Sequence, residues 1–324
     1  MKQVVTVAQY GIGPIGAEIA RLLLTKPWVK LVAAVDIDPK KIGRDVGEVI
    51  GLDRETGVKV TADLNTKAEV VCHSTASRLR EVQSQLKDLL ARGSHVVSTC
   101  EELSFPLNAA IREDLQQAAR ANNVTLLGTG VNPGFVMDKL PLTITSVCQR
   151  VDELQIIRIQ NASTRREPLQ RKVGAGMTTD EFRDAVSAGK IKHMGLRESL
   201  MMVGNGLGVE FDHVTDENIE PIVADREIVT QYLRVEPGQV AGVHQTIEGT
   251  GKIKVSLELR MYVGAEAVAA DRVIVKGVPD VEMVIKDGVH GDRATAAMVV
   301  NAIPRVIVAR PGVLTMDDIP ISFR

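Results

Sequence analysis

Apolar positions in the first part of the chain fall into short runs that alternate with helical stripes. "QVVTVAQY" is β-branched and nearly all apolar, as a strand buried on both faces requires. Ile15, Ile19, Leu22 and Leu23 then recur at helical spacing and predict a helix that stops near Lys26-Pro27. "KLVAAVD" predicts a second strand. The alternation continues through "AEVVCHSTAS" (68–77), a helix over 78–91, "GSHVVSTCEEL" (93–103), a helix over 107–122 and "NVTLLGTGVNPGF" (123–135). Strands joined by helices predict a doubly wound parallel sheet, whose ligands lie beyond the carboxyl ends of the strands.

After residue 138 the period changes. "DELQIIRIQNAS" predicts a strand, and "TTDEFRDAVSAGKI" opens on a capping box, Thr178 to Glu181, before a helix. "RESLMMVGNGLG" predicts a further short helix. "GQVAGVHQTIEGTG" and "KIKVSLELRMYVG" alternate apolar and polar positions, as half-exposed antiparallel strands do. "RATAAMVVNAIPRVIVA" predicts a helix apolar enough to need cover, followed by the extended tail "RPGVLTMDDIP".

Between the first strand and helix stands Gly11-Ile12-Gly13-Pro14-Ile15-Gly16. A lone GxGxxG is weak evidence, since 27 glycines in 324 residues produce one by chance. Its setting is specific: a strand before, a helix after, and Asp36 about 20 residues past the last glycine, as a dinucleotide cradle requires. Gly11 permits the sharp exit from the strand, Gly13 lets backbone approach a pyrophosphate, and Gly16 lets the helix pack on the sheet. The helix start, with Pro14 and Ile15, offers unpaired N–H groups and partial positive charge to phosphates. Asp36 accepts from ribose hydroxyls and repels a 2′-phosphate, which favours NAD. Arg44, with Lys40 and Lys41, supplies cations for that phosphate, so NADP stays possible. Ser74, Thr75, Ala76, Thr99, Cys100, Asn132 and Pro133 lie at carboxyl ends of predicted strands and are the further cofactor contacts expected.

The expected fold is therefore α/β. A Rossmann-type doubly wound parallel sheet spans residues 1–137, with a segment from about 292 to 324 packing back on it. A second α+β domain over 138–291 carries an open, largely antiparallel sheet, suited to substrate contacts or to the interface of a homodimer.

Composition narrows the partners. With 44% hydrophobic and 25% charged residues and a formal net charge of −2, the chain has no basic balance for nucleic acid. Aromatics at 3% argue against base stacking. No apolar run approaches the roughly 20 residues of a membrane span, and the N-terminus lacks a signal-peptide pattern. A cytoplasmic protein without a membrane partner is expected. Cys72, Cys100 and Cys148 fit neither a disulfide framework nor a metal site, and the six histidines lack metal-ligand spacing, so no metal is expected.

Chemistry centres on Ser98-Thr99-Cys100-Glu101-Glu102. Two adjacent acids after an apolar strand are costly to bury unpaired, so Glu101 or Glu102 is the candidate acid–base group. Both acids starting a helix is the competing reading. Cys100 as a nucleophile needs a basic partner that the sequence does not provide, so packing is its expected role. In the second domain, His193 at a helix junction and Arg165 and Arg166 in a basic loop are the candidates for substrate contact.

"QYGIGPIG", "VDIDPKKIGRDVGEVIGL", "STCEELSFP", "GTGVNPGFVMD" and "HGDRATAAMVVNAIPRVI" together resemble the 2,4-diaminopentanoate dehydrogenases and related native amine dehydrogenases, whose fold is similar to dihydrodipicolinate reductase. The resemblance runs from Gly11 to the tail. It implies NAD(P)-dependent oxidative deamination of a short-chain amine, with reductive amination as the reverse. It also implies a catalytic glutamate in "STCEEL", carried onto Glu101 with Glu102 as the alternative. The chain lacks the paired histidines of a dihydrodipicolinate reductase, and has glutamate where a homoserine dehydrogenase has lysine. A ketone, alcohol or semialdehyde oxidoreductase, or a non-catalytic NAD(H)-binding sensor, are the alternatives on the same scaffold.

Overall fold

The computed structural model describes residues 4–165, 167–264, 267–320 and 322–323. The chain divides into two compact units: residues up to Phe135 together with those from His290 onward, and Val136–Val289.

In the first unit, β1 (Val5–Tyr10) passes through the glycine turn into α1 (Pro14–Leu23) and β2 (Val29–Val35). α2 (Val46–Val49), β3 (Val60–Thr61), β4 (Val70–His73), α3 (Leu79–Ala91), β5 (His95–Ser98), α4 (Ala109–Ala121) and β6 (Thr125–Gly128) follow. The helices form where apolar side chains repeat at helical spacing: α3 buries Leu79, Val82, Leu86, Leu89 and Leu90 on one stripe. Fully burying one such leucine contributes about 2 kcal/mol.

The second unit holds α5 (Lys139–Thr145), β7 (Arg150–Asn161), α6 (Glu167–Lys172), α7 (Thr179–Ser187) and α8 (Leu196–Leu207). Next come β8 (Phe211–Val214), β9 (Asn218–Val223), β10 (Ile228–Val229), β11 (Arg234–Val235), β12 (Val240–Gly251), β13 (Lys254–Tyr262), β14 (Ala270–Val278) and β15 (Val281–Lys286). The chain then returns to the first unit as α9 (Gly291–Val306) and β16 (Gly312–Leu314).

Sheet order in the first unit is β16-β6-β5-β4-β1-β2-β3, with every pairing parallel. This is the 3-2-1-4-5-6 order of dinucleotide-binding sheets, extended by one strand, and its switch point lies between β1 and β4. The tail expected to be merely extended supplies that extra strand: Gly312–Leu314 pairs with Thr125–Leu127. α9 packs on α1 and β5, burying Ala296, Val299, Val300, Ala302, Ile303 and Val306.

The second sheet runs β15-β14-β7-β13-β12-β8, with β9 also on β12. It is mixed, since β13 runs parallel to β7 while the other pairs are antiparallel. Strand alternation is visible along β13, where Val255, Leu257 and Leu259 are buried and Ser256 and Glu258 face the other way. The predicted capping box forms at α7, with both the Thr178 and Glu181 side chains bonded to backbone. Beneath the sheet lies a buried ion pair: Arg158 Nη1 sits 2.6 Å from Asp271 Oδ1, and together they bracket the peptide of Val289. The basic segment after Asn161, read as a loop, contains the short helix α6.

Candidate active site

The three glycines of the turn answer to different constraints. Gly11 has φ +89°, and a Cβ there would stand 2.5 Å from the Ser74 carbonyl oxygen. A Cβ on Gly16 would collide with the Gly11 carbonyl. Gly13 is different: its backbone is ordinary extended chain (φ −73°, ψ −172°), and a Cβ would meet nothing within 4 Å. Two glycines thus satisfy the protein's own packing, and the third opens onto free space. α1 begins on Pro14 with no side-chain cap and no acid in its first turn. Its first i→i−4 bond runs from Ala17 N to Gly13 O, so the N–H groups of Ile15 and Gly16 precede the hydrogen-bonded ladder. An uncapped positive helix end beside open space fits the phosphates of a dinucleotide.

Asp36 stands at the end of β2. Its Oδ2 accepts from Ile12 N (2.8 Å) and Lys41 Nζ (2.9 Å), and Oδ1 accepts from Asp38 N (2.9 Å). Burial alone would raise its pKa, but these hydrogen bonds outweigh burial and hold the carboxyl below the usual carboxylate value. The cation the structure brings to Asp36 is therefore Lys41 and not Arg44. Arg44 turns instead to Glu48 (2.9 Å) and the Lys40 carbonyl (3.2 Å), an exposed i,i+4 pairing that chain distance could not foresee.

The neighbouring strand ends close around the turn. Ser74 N–H donates to the Tyr10 carbonyl, and Ser74 Oγ to the Gly11 carbonyl at 3.0 Å. Gln9, fully buried within β1, donates from Nε2 to both Gly11 O (2.8 Å) and Ser74 Oγ (2.9 Å). Thr75 is exposed, and Ala76 packs on the core. Beyond β6, Asn132-Pro133 is a cis peptide, and Val131 N–H donates to Thr295 Oγ1 on α9.

The loop after β5 is stapled to the segment after β4. Thr99 N–H donates to the His73 carbonyl, and Glu102 N–H to the Ser77 carbonyl. Cys100, expected among the cofactor contacts, directs its polar atoms to the protein itself. Its N–H goes to Ser98 Oγ (3.1 Å), its thiol to the Ser77 carbonyl (3.1 Å), and its carbonyl accepts from Leu103 N–H. Burial raises the thiol pKa, so the sulfur is a protonated core group and not a nucleophile. Glu102 is also committed: its Oε2 accepts from Leu79 N at 2.7 Å and caps α3, which has no side-chain cap of its own. Glu101 lies between these anchored residues at the start of a 3₁₀ turn, Glu101–Leu103, and its carbonyl accepts from both N–H and Oγ of Ser104. Beneath that turn lies Gly128, where a Cβ would stand 2.5 Å from Leu103 O and 2.6 Å from Ser104 N. β5 and β1 are two strand spacings apart, about 10 Å, so the glutamate turn and the glycine turn share the carboxyl edge of one sheet.

In the second unit, His193 is held by its backbone: its N–H donates to Gln245 Oε1 (2.9 Å) and its carbonyl accepts from Gln245 Nε2 (3.0 Å). Arg165 is half-buried in the bend before α6, where buried Gln170 donates to its carbonyl (2.8 Å). Arg166 lies outside the described residues. The polar residues given no role by sequence reasoning are Gln9 and His73, and Ser98 is named there only as part of the candidate loop. Each is a fully buried polar side chain inside an otherwise apolar parallel strand, and that contrast is the signal that could have found them.

A 3-2-1-4-5-6 parallel sheet with this glycine turn and an acid closing β2 places the protein among the dinucleotide-binding oxidoreductase folds. A family model for the 2,4-diaminopentanoate dehydrogenase C-terminal domain matches residues 135–323. The chain is 31% identical over 325 residues to 2,4-diaminopentanoate dehydrogenase of Acetoanaerobium sticklandii, covering 96% of this chain and 92% of the relative. Among solved structures it is similar to an amine dehydrogenase from Mycobacterium smegmatis (TM-score 0.85, 24% identity, 99% and 97% of the two chains). It is also similar in fold to a dihydrodipicolinate reductase from Paenisporosarcina (TM-score 0.51, 13% identity, 97% and 98%). The chain belongs to the 2,4-diaminopentanoate dehydrogenase family and is an oxidoreductase acting on amines.

Proposed function

We propose that the protein is an NAD(P)-dependent amine dehydrogenase that converts a short-chain amine such as 2,4-diaminopentanoate to the ketone and ammonia, with reductive amination in reverse. The observation that carries this reading is the place of Glu101: it opens the turn that follows β5, on the same carboxyl edge of the parallel sheet as the glycine turn.

The glycine turn and the N-terminus of α1 hold the dinucleotide phosphates, and Asp36 holds the adenosine ribose. A bound nicotinamide supplies a hydride acceptor for the carbon bearing the amine. Glu101 takes the proton that the substrate ammonium must lose, faces the cationic iminium with negative charge, and activates the water that adds to it. Asp36 stays ionised and disfavours a 2′-phosphate, so NAD is preferred. Lys41, 2.9 Å away, offsets part of that charge, and NADP is tolerated. The open face of the second sheet, with Ile157 and exposed Val284 in one row, is read as the contact between copies in a homodimer.

The test is NADH and NADPH oxidation with a panel of ketones, with and without ammonium. Turnover should require ketone and ammonium together. Glu101→Gln should lower kcat by about 10²–10⁴. Glu102→Ala should keep most turnover and lose about 1 kcal/mol of stability with the α3 cap. Turnover indifferent to ammonium would instead make the protein a carbonyl reductase.

A further inference from the structure

The site described above borders a buried titratable group that has not yet been given a task. His73 ends β4, and its side chain is enclosed on all sides. The ring stacks on Tyr10, the residue before the glycine turn, with centroids 5.6 Å apart and planes at 27°. Its nitrogens each meet a partner: Nδ1 lies 2.9 Å from Ser98 Oγ and Nε2 lies 2.9 Å from Gln85 Oε1. Thr75 Oγ1 lies 3.0 Å from Nε2 and donates to the same Gln85 oxygen (2.8 Å).

These contacts choose a tautomer. A carboxamide oxygen only accepts, so Nε2 carries the proton toward Gln85 and Nδ1 accepts the hydroxyl proton of Ser98. With its proton directed at the ring, Ser98 Oγ turns a lone pair to Cys100 N–H, 3.1 Å away. The next residue is Glu101. Burial keeps the ring neutral, lowering its pKa from 6.5 to about 4 against a smaller opposing effect of the Gln85 hydrogen bond, so the Nδ1 lone pair persists at neutral pH.

We infer that His73 is a positioning residue for the amine-dehydrogenase reaction: through Ser98 Oγ it fixes the Cys100 peptide and so the backbone from which Glu101 projects. This inference rests on the reading of Glu101 as the reacting acid. A ring that merely filled space between β4, β5 and α3 would not need a particular nitrogen aimed at a particular hydroxyl. Among the described residues, the ring nitrogen of His73 is the acceptor that orients the Ser98 proton, so the direction of the Ser98–Cys100 contact depends on the ring.

Two substitutions separate the roles. An asparagine amide reaches the position of Nδ1, and a glutamine amide reaches that of Nε2. His73→Gln therefore keeps the Gln85 side and abandons Ser98, whereas His73→Asn does the reverse. With NADH, ketone and ammonium, His73→Gln should lower kcat about 10–100-fold, the cost of a misplaced reacting group, with the KM for NADH changed less than about threefold. His73→Asn should recover most of that loss. Ser98→Ala should reproduce the His73→Gln defect, and the double variant should be no worse than the poorer single one, because both break one linkage. Thermal unfolding of each variant accompanies the kinetics, and Ser98→Ala, the smallest change, keeps the test open should a His73 variant fail to fold.

Equal losses in the Asn and Gln variants, wild-type kcat in Ser98→Ala, or additive losses in the double variant would each overturn the inference. Glu101→Gln run in the same assay distinguishes this failure from that of its premise. If Glu101→Gln is inactive while Ser98→Ala is unaffected, only the positioning role falls. If Glu101→Gln turns over normally, the catalytic reading falls and the positioning role with it.

Discussion

Gly13→Ala separates a cofactor cradle from a mere turn. The added methyl meets no protein atom within 4 Å, and the backbone at φ −73°, ψ −172° suits any L-residue. Losing glycine flexibility in the unfolded chain stabilises by about 0.4–1 kcal/mol, while alanine is a poorer N-cap than glycine and gives back a few tenths of that or more. Stability should thus move by less than about 1 kcal/mol. Binding should not be spared, because the methyl occupies the space a pyrophosphate enters. Overpacking by one methyl costs about 1–3 kcal/mol, which is roughly a 5- to 150-fold rise in Kd. Gly16→Ala is the contrasting control: its methyl would strike the Gly11 carbonyl, so it should destabilise the fold itself. The assay is quenching of protein fluorescence by NADH, titrated alongside thermal unfolding. Wild-type NADH affinity in Gly13→Ala would refute the reasoning, since the open space would then not be where the phosphates go.

Three further outcomes follow from the same geometry. Gly128→Ala puts a methyl 2.5 Å from Leu103 O, against an ordinary contact of 3.4 Å, so the glutamate turn must retreat by 3.4 − 2.5 = 0.9 Å. Steady-state kinetics should show kcat down about 10–100-fold with the KM for NADH little changed. Alkylation of the native protein followed by peptide mass spectrometry should label Cys148, which is half-buried, and spare Cys72 and Cys100, which are fully buried. Stability should fall on acidification between pH 6.5 and about 4. Over that range the unfolded chain binds a proton at His73 that the native ring refuses. The contribution is complete above pH 6.5 and lost through about pH 4, and its size is on the order of 3 kcal/mol. Urea midpoints measured across that range should be flatter in His73→Asn.

Much of the first unit is written in its residue pattern, because buried parallel strands and amphipathic helices impose different periods on apolar positions. The glycine turn is readable for the same reason: its position between a strand and a helix says more than its spelling. The second unit is harder. β9, β14 and β15 carry Glu220, Arg272 and Glu282 among their apolar residues, and such mixed short strands look like loops until register brings partners alongside. Adjacent acids pose a related problem. Glu101 and Glu102 are equivalent in composition, and only the fold reveals that one reaches the amide of Leu79. Arg44 and Lys41 differ in the same manner, since separation along a loop does not tell which cation bends back to Asp36.

The return of the chain to its first unit has a bearing on how the protein is made. During synthesis, β6 emerges with one side of its backbone still unpaired, and the whole second unit is translated before Gly312–Leu314 arrives to pair with it. The intervening unit can mature on its own schedule, but the nucleotide-binding unit closes late, when α9 covers α1 and β5. Until then an apolar helix face and an open strand edge remain exposed on the nascent chain, the kind of surface that chaperones cover and aggregates recruit. A premature stop after residue 289 would spare every residue of the glycine turn and still leave the oldest part of the molecule unfinished.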